Sequence, residues 1–181
     1  MTQATLIQLG AMGPEGDLIR VVVETPRGSR NKFKYNEKSG VFTLHKVLPL
    51  GASFPYDFGF VPSTRGEDGD PLDVLVLMDE PAFPGCIVPA RLIGVIEARQ
   101  TTEGKTTRND RLIAVLETPL NRPEIRSLEE WGERRLDELE HFFISYNQME
   151  GREFKPIGHQ DPQRAMEQIR EGMRRFQEKK E

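Results

Sequence analysis

The 181-residue sequence predicts an α+β fold, an antiparallel β-barrel followed by two helices. Three observations predict it. Up to about residue 120, short β-branched and apolar runs recur between Gly and Pro punctuation, the pattern of an antiparallel barrel or sandwich. Beyond that point apolar residues return at helical spacing. Two helix N-terminus signatures stand where those stretches begin.

The elements follow in order. Leu18 to Glu24 (LIRVVVE) reads as a strand. Lys32–Tyr35 and Val41–Val47 flank the turn Asn36 to Gly40 and predict a hairpin. Leu72–Met78, Ile87–Glu97 and Arg111–Leu116 read as core strands. Ser127 with Glu130 forms a capping box, and Leu128, Trp131, Leu139, Phe142, Phe143 and Tyr146 then share one helical face. Asp161 before Pro162 opens a second helix, whose stripe runs through Ala165, Met166, Ile169, Met173 and Phe176. One domain, residues 1–181, is expected, with the barrel at about 17–120 and helices at about 127–149 and 161–180.

Composition removes several functions. With 25 basic and 29 acidic residues the net charge is −4, which argues against a nucleic-acid clamp. No stripe interleaves aromatic with basic residues, so no nucleic-acid partner is expected. The single cysteine, Cys86, excludes an internal disulfide framework and fits a reducing compartment. No apolar run reaches the roughly 18–20 residues of a membrane span, and the start lacks a basic, apolar leader. The cytoplasm is the expected location.

One stretch carries chemistry. From Glu67 to Glu80 there are six acids and no Lys or Arg. Gly69 and Pro71 force a tight turn, so Asp68 and Asp70 can converge near the start of the next strand, where Asp73 stands. Carboxylates so close repel, and a divalent cation removes that cost; Mg²⁺ is the hard, oxygen-preferring choice. A solvated acidic turn with an Asx cap is the other reading of the same residues. A calcium EF-hand fails, because its loop needs Gly where Asp73 stands. Glu24, Lys32 and Lys34 read individually as surface charges, and His45, His141 and His159 as structural or exposed.

The stretches VVVETPRGSRNKFKYNEKSG, FPYDFGFVPST, EDGDPLDVLVL, PGCIVPARLIGVIEA and HFFISYNQMEGREFK, in that order over residues 18–155, resemble the soluble inorganic pyrophosphatases. The resemblance implies a five-stranded barrel like the oligonucleotide-binding fold. It implies an enzyme, a Mg²⁺-dependent inorganic diphosphatase in which a metal-activated water attacks pyrophosphate. By resemblance Asp68 and Asp73 are metal ligands, Asp70 is the catalytic acceptor of the water's proton, and Glu24 serves a further metal. Lys32, Lys46, Arg111 and Tyr146 match substrate-binding positions. A homo-oligomer, commonly a hexamer in bacterial members, is likewise implied.

The sequence departs from the family pattern at several of these places. Lys34 stands where the family has Glu, Lys46 where it has Arg, and Asn147 where it has Lys. Phe54 and Phe58 replace tyrosines. The Arg99–Arg111 loop is longer, and Asn109 aligns with a metal-binding Asp. Asp110 is the expected substitute ligand there, with Glu103 the alternative. Two other functions therefore stand beside pyrophosphate hydrolysis. One is a re-cut pocket acting on another phosphoanhydride or phosphate ester. The other is a catalytically impaired binding or assembly protein.

Overall fold

The structure, a computed structural model, describes residues 5–178. Its strands are β1 (Ile19–Thr25), β2 (Asn31–Asn36), β3 (Val41–Val47), β4 (Asp57–Val61), β5 (Leu72–Leu77), β6 (Ile87–Thr102), β7 (Lys105–Arg108), β8 (Arg111–Leu116) and β9 (Glu153–Gln160). Its α-helices are α1 (Leu128–Trp131), α2 (Glu133–Gln148) and α3 (Pro162–Glu178). The last residues of the second expected helix, 179 and 180, lie outside the described residues.

Five strands close a ring in the order β1-β4-β5-β8-β6, with β6 pairing back onto β1. Closure leaves these strands no free edge. Four of the pairings are antiparallel; β5 and β8 run parallel, with Val74 opposite Leu112 and Leu77 opposite Val115. That pair is the most continuously apolar part of the sequence, as strands buried on both faces tend to be. Alternate residues serve two cores. Leu75, Ile113 and Val115 pack with Leu136, Leu139 and Phe143 of α2. Val74, Val76, Leu112 and Ala114 pack with Ala165 and Ile169 of α3. The β2–β3 hairpin forms a separate two-stranded sheet, as expected.

Several features depart from the sequence reading: β5 and β8 pair parallel where an antiparallel barrel is expected, and ring strand β4 is not among the expected strands. The Arg99–Arg111 stretch is mostly a hairpin: β6 runs on to Thr102, turns at Glu103-Gly104 and returns as β7. Irregularities at Leu92–Gly94 and Glu97–Ala98 let sixteen-residue β6 bend between its partners. β9, unannounced in the sequence, pairs with the second half of β6. The first expected helix is divided at Gly132, whose φ of 108° no helix contains.

Candidate active site

The acidic turn is built by its own backbone. Gly66 N–H donates to the Asp70 carbonyl at 2.7 Å, and Gly69 takes φ 89°, a conformation that glycine supplies cheaply. Asp70 N–H donates to Asp68 Oδ1 at 3.1 Å. Buried Thr64 accepts from Leu72 N–H at 3.1 Å and fixes where β5 begins. Asp68 and Asp70 therefore sit on the turn, and Asp73 one residue inside the strand.

These three aspartates line a cavity of about 260 Å³. Glu24 reaches it from the end of β1, Lys32 and Lys34 from β2, and Lys46 from β3. Arg111 enters from β8 and Tyr146 from α2. The wall carries five acids and five Lys or Arg side chains, so the pocket is close to neutral. Lys34 Nζ lies 3.0 Å from Asp70 Oδ2, an exposed and solvent-screened pair. Arg111 Nη1 lies 2.7 Å from Asp73 Oδ2 and is 5% exposed.

Burial dominates the electrostatics. It raises the Asp68 carboxyl to about 6, with Asp73 and Asp70 adding repulsion. It raises Glu24 to about 7, against the Tyr35 N–H that donates to its Oε1 at 2.7 Å. It lowers the Lys32 ammonium to about 8; Asp73 opposes this and Arg111 adds to it. Burial and the neighbouring Lys32, Arg152 and Lys34 push Lys46 downward as well. Lys46 Nζ contacts the Glu150 carboxylate, a partner that opposes the loss of its charge. Burial keeps the Tyr146 phenol neutral, well above the ordinary phenol range. Its Oη is buried without a hydrogen-bond partner, a donor free for a ligand oxygen. Lys32 Nζ stands 5.1 Å from the Phe58 ring centre and 5.3 Å from that of Tyr146.

Of the residues expected at the site, all but Asp110 line this cavity. Asp110 faces an adjoining cavity of about 100 Å³ on the α3 side, and both its oxygens are committed. Oδ1 accepts from Ala98 N–H at 2.8 Å and from Arg108 Nε, and Oδ2 accepts from Gln168 Nε2 at 2.8 Å. It fixes the β7–β8 turn instead of offering itself as a ligand. Glu103, the alternative, stands exposed at the hairpin tip. Phe54 is buried in an aromatic cluster with Phe142 and Tyr146, away from the cavity wall. Asn147 lines the cavity, but its Nδ2 donates to Phe143 O at 2.8 Å, within its own helix.

Gln100, His45 and Arg152 were missed by sequence reasoning and line the cavity. Gln100 Oε1 accepts from Asn109 Nδ2 at 2.9 Å. The alternation of β6 carried through Thr102 would have aimed Gln100 at the site.

Among the described residues, no three carboxylate, imidazole or thiolate side chains gather closely enough to cage a metal ion. The expected convergence of Asp68, Asp70 and Asp73 is looser than the turn alone suggests, because two of them reach for side-chain cations. The donor set nevertheless fits Mg²⁺, which is ordinarily held by one or two carboxylates, substrate phosphates and water. Asp68, lifted toward protonation beside Asp73, gains most from a cation there.

A family model described as inorganic pyrophosphatase matches residues 21–177. An inorganic pyrophosphatase of Synechocystis is 34% identical over 163 residues, covering 90% of this chain and 94% of the relative. One from Nostoc is 37% identical, covering 82% of this chain and 85% of the relative. The crystal structure of inorganic pyrophosphatase from Thermus thermophilus superposes with a TM-score of 0.87 at 33% identity, covering 96% of this chain and 99% of that one.

Proposed function

The chain belongs to the inorganic pyrophosphatase family, and on that premise we propose that it hydrolyses inorganic pyrophosphate to two phosphates with the help of Mg²⁺. The observation that carries this is one cavity holding the three aspartates of the acidic turn opposite Lys32, Lys46, Arg111 and Tyr146. Hydrolysis needs both sides. A carboxylate must take a proton from water, and donors must hold charge on phosphoryl oxygens.

Asp68 and Asp73 are the residues that would hold Mg²⁺. When bound, the ion supplies Lewis-acid polarisation of a phosphoryl oxygen and a more acidic water. Asp70, which lines the same cavity, accepts the attacking water's proton in this reading. Lys32 and Arg111 present fixed positive charge to the phosphate oxygens, and Tyr146 presents a neutral O–H. Lys46 joins them by exchanging Glu150 for substrate. Glu24, raised by burial to about 7 and so partly ionised at pH 7, completes the acidic side. Overall one water adds across the P–O–P bridge: its oxygen goes to one phosphorus, the bridging oxygen leaves with the other, and the water's protons end on phosphate or buffer.

The same reading takes the chain as one domain and a homo-oligomer of the cytoplasm, which the lone, unpaired Cys86 suits. Among the described residues no helix is long and apolar enough to cross a membrane.

The test is phosphate release from pyrophosphate in Mg²⁺, with Asp70→Asn purified identically. Turnover that falls by roughly 10²–10⁴ in the variant supports the assignment of Asp70. Equal turnover in both proteins contradicts it.

A further inference from the structure

Gly69 makes the acidic turn possible and also leaves it loose. Its φ of 89° suits glycine, and the peptide planes beside a glycine rotate more freely than others. Asp68 and Asp70 flank it, and the Gly69–Asp70 peptide governs both. The Asp70 N–H of that peptide donates to Asp68 Oδ1 at 3.1 Å, and its Gly69 carbonyl accepts from Arg65 Nη1. One rigid plane is thus held at both ends, by a carboxylate and by a guanidinium. Its N–H and C=O point in opposite directions, so a rotation breaks both contacts at once.

Arg65 is itself fixed. Its backbone N–H donates to the Gly172 carbonyl of α3 at 2.9 Å. Helix and turn meet there without a gap: a Cβ on Gly172 would lie 2.8 Å from Leu72 Cδ1 and 3.2 Å from Thr64 Cβ. The Arg65 guanidinium carbon lies 5.7 Å from the Phe176 ring centre, and the side chain is 16% exposed. Two residues earlier, Ser63 takes φ 51°, which a non-glycine residue keeps only where its surroundings hold it; its N–H donates to Ile7 O at 2.8 Å. Arg65 Nη2 faces Glu37 Oε2 at 3.8 Å, a half-open and therefore weak pair. Nε is buried without a hydrogen-bond partner. An apolar side chain would cover Phe176 without that unpaired donor, so what a guanidinium adds here is its reach to the Gly69 carbonyl.

We propose that Arg65 is a positioning residue for pyrophosphate hydrolysis: from its seat on α3 it holds the Gly69–Asp70 peptide and so sets where Asp68 and Asp70 stand in the cavity. The inference rests on the reading above, in which those two carboxylates serve the reaction. Arg65 itself is not part of the cavity lining, so it acts through the turn. The cations assigned to phosphate, Lys32, Lys46 and Arg111, stand on other elements. Loss of Arg65 should therefore lower kcat more than it raises KM.

The experiment compares Arg65→Leu and Arg65→Lys with the wild type by initial-rate kinetics and by amide hydrogen exchange. In Arg65→Leu, kcat is expected to fall roughly ten- to hundredfold, with KM within about threefold. Exchange at the Gly66 and Asp70 N–H groups is expected to quicken about tenfold or more, while the β5 and β8 amides stay as slow as before. Arg65→Lys, which keeps the charge and part of the reach, regains part of kcat. Arg134→Met removes a charge from an exposed helix face and leaves both readouts unchanged. If Arg65→Leu does not fold, Arg65→Gln carries the same test. Wild-type kcat in the folded variant overturns the inference, whatever its melting temperature. So does unchanged exchange at Asp70, or exchange that rises equally in β5 and β8, which is general loosening. Exchange needs no substrate: an inactive wild type whose Asp70 amide is freed in Arg65→Leu would defeat the functional reading and leave the hold of Arg65 on the turn standing.

Discussion

At pH 7 Lys32 is charged and buried between Glu24, Asp73 and the Phe58 ring. Its ammonium titrates near 8 in the fold against 10.5 ordinarily. Between those values the unfolded chain binds more protons, so this residue's contribution to stability rises with pH. Its grip on phosphate moves the opposite way, since the charge that holds an oxygen is lost above about 8. The prediction is a KM for pyrophosphate that climbs above pH 8. Lys32→Arg, which stays charged, is expected to flatten that climb. Initial-rate kinetics across pH 6.5–9.5 check both, and an unchanged alkaline limb in the variant would assign the titration elsewhere.

The element that most controls the site is the β7–β8 turn, because it presents Asn109 on one side and Arg111 on the other. Asp110 pins it to β6 through Ala98 N–H and to α3 through Gln168, which is 6% exposed. Gln168→Ala leaves a buried carboxylate oxygen without its donor, costing roughly 1–3 kcal/mol. Arg111 would lose its register as well. We expect a raised KM with Tm lowered by a few degrees, restored in part by Gln168→Asn, and thermal melts beside steady-state kinetics measure it. This element also marks the limit of the sequence reading. DGDPLD revealed its turn because Gly69 and Pro71 leave little choice, and the capping signals at Ser127 and Asp161 located helices. Glu103-Gly104 instead looks like the middle of a polar loop, since strand residues on both sides of it face solvent. β9 was hidden for the same reason: only Phe154 of its eight residues is buried, and Pro156 and Gly158 interrupt it. At the site, residue type announced Asp68, Asp70 and Asp73. It could not announce that Asp110 turns toward α3, because its partner Gln168 is 58 positions away.

For the molecule as a whole, the closed ring makes the barrel and the pocket one mechanical unit. Ile113 is fully buried in the layer shared by β8, β6 and α2. Ile113→Ala should therefore cost roughly 2–5 kcal/mol in denaturant unfolding, with the slope unchanged. The same wall carries Arg111 two residues earlier, so activity near the new midpoint should fail together with the fold. At this scale the family and a pocket of facing acids and cations fit pyrophosphate as substrate, while Lys34 beside Asp70 and the missing hydroxyl at Phe58 distinguish this member. The most direct test is phosphate release from pyrophosphate and from p-nitrophenyl phosphate, side by side, in Mg²⁺ and after chelation. The account predicts turnover of pyrophosphate that collapses on chelation and exceeds that of the ester by orders of magnitude. Faster turnover of the ester, or none of pyrophosphate in any Mg²⁺ concentration, would contradict it.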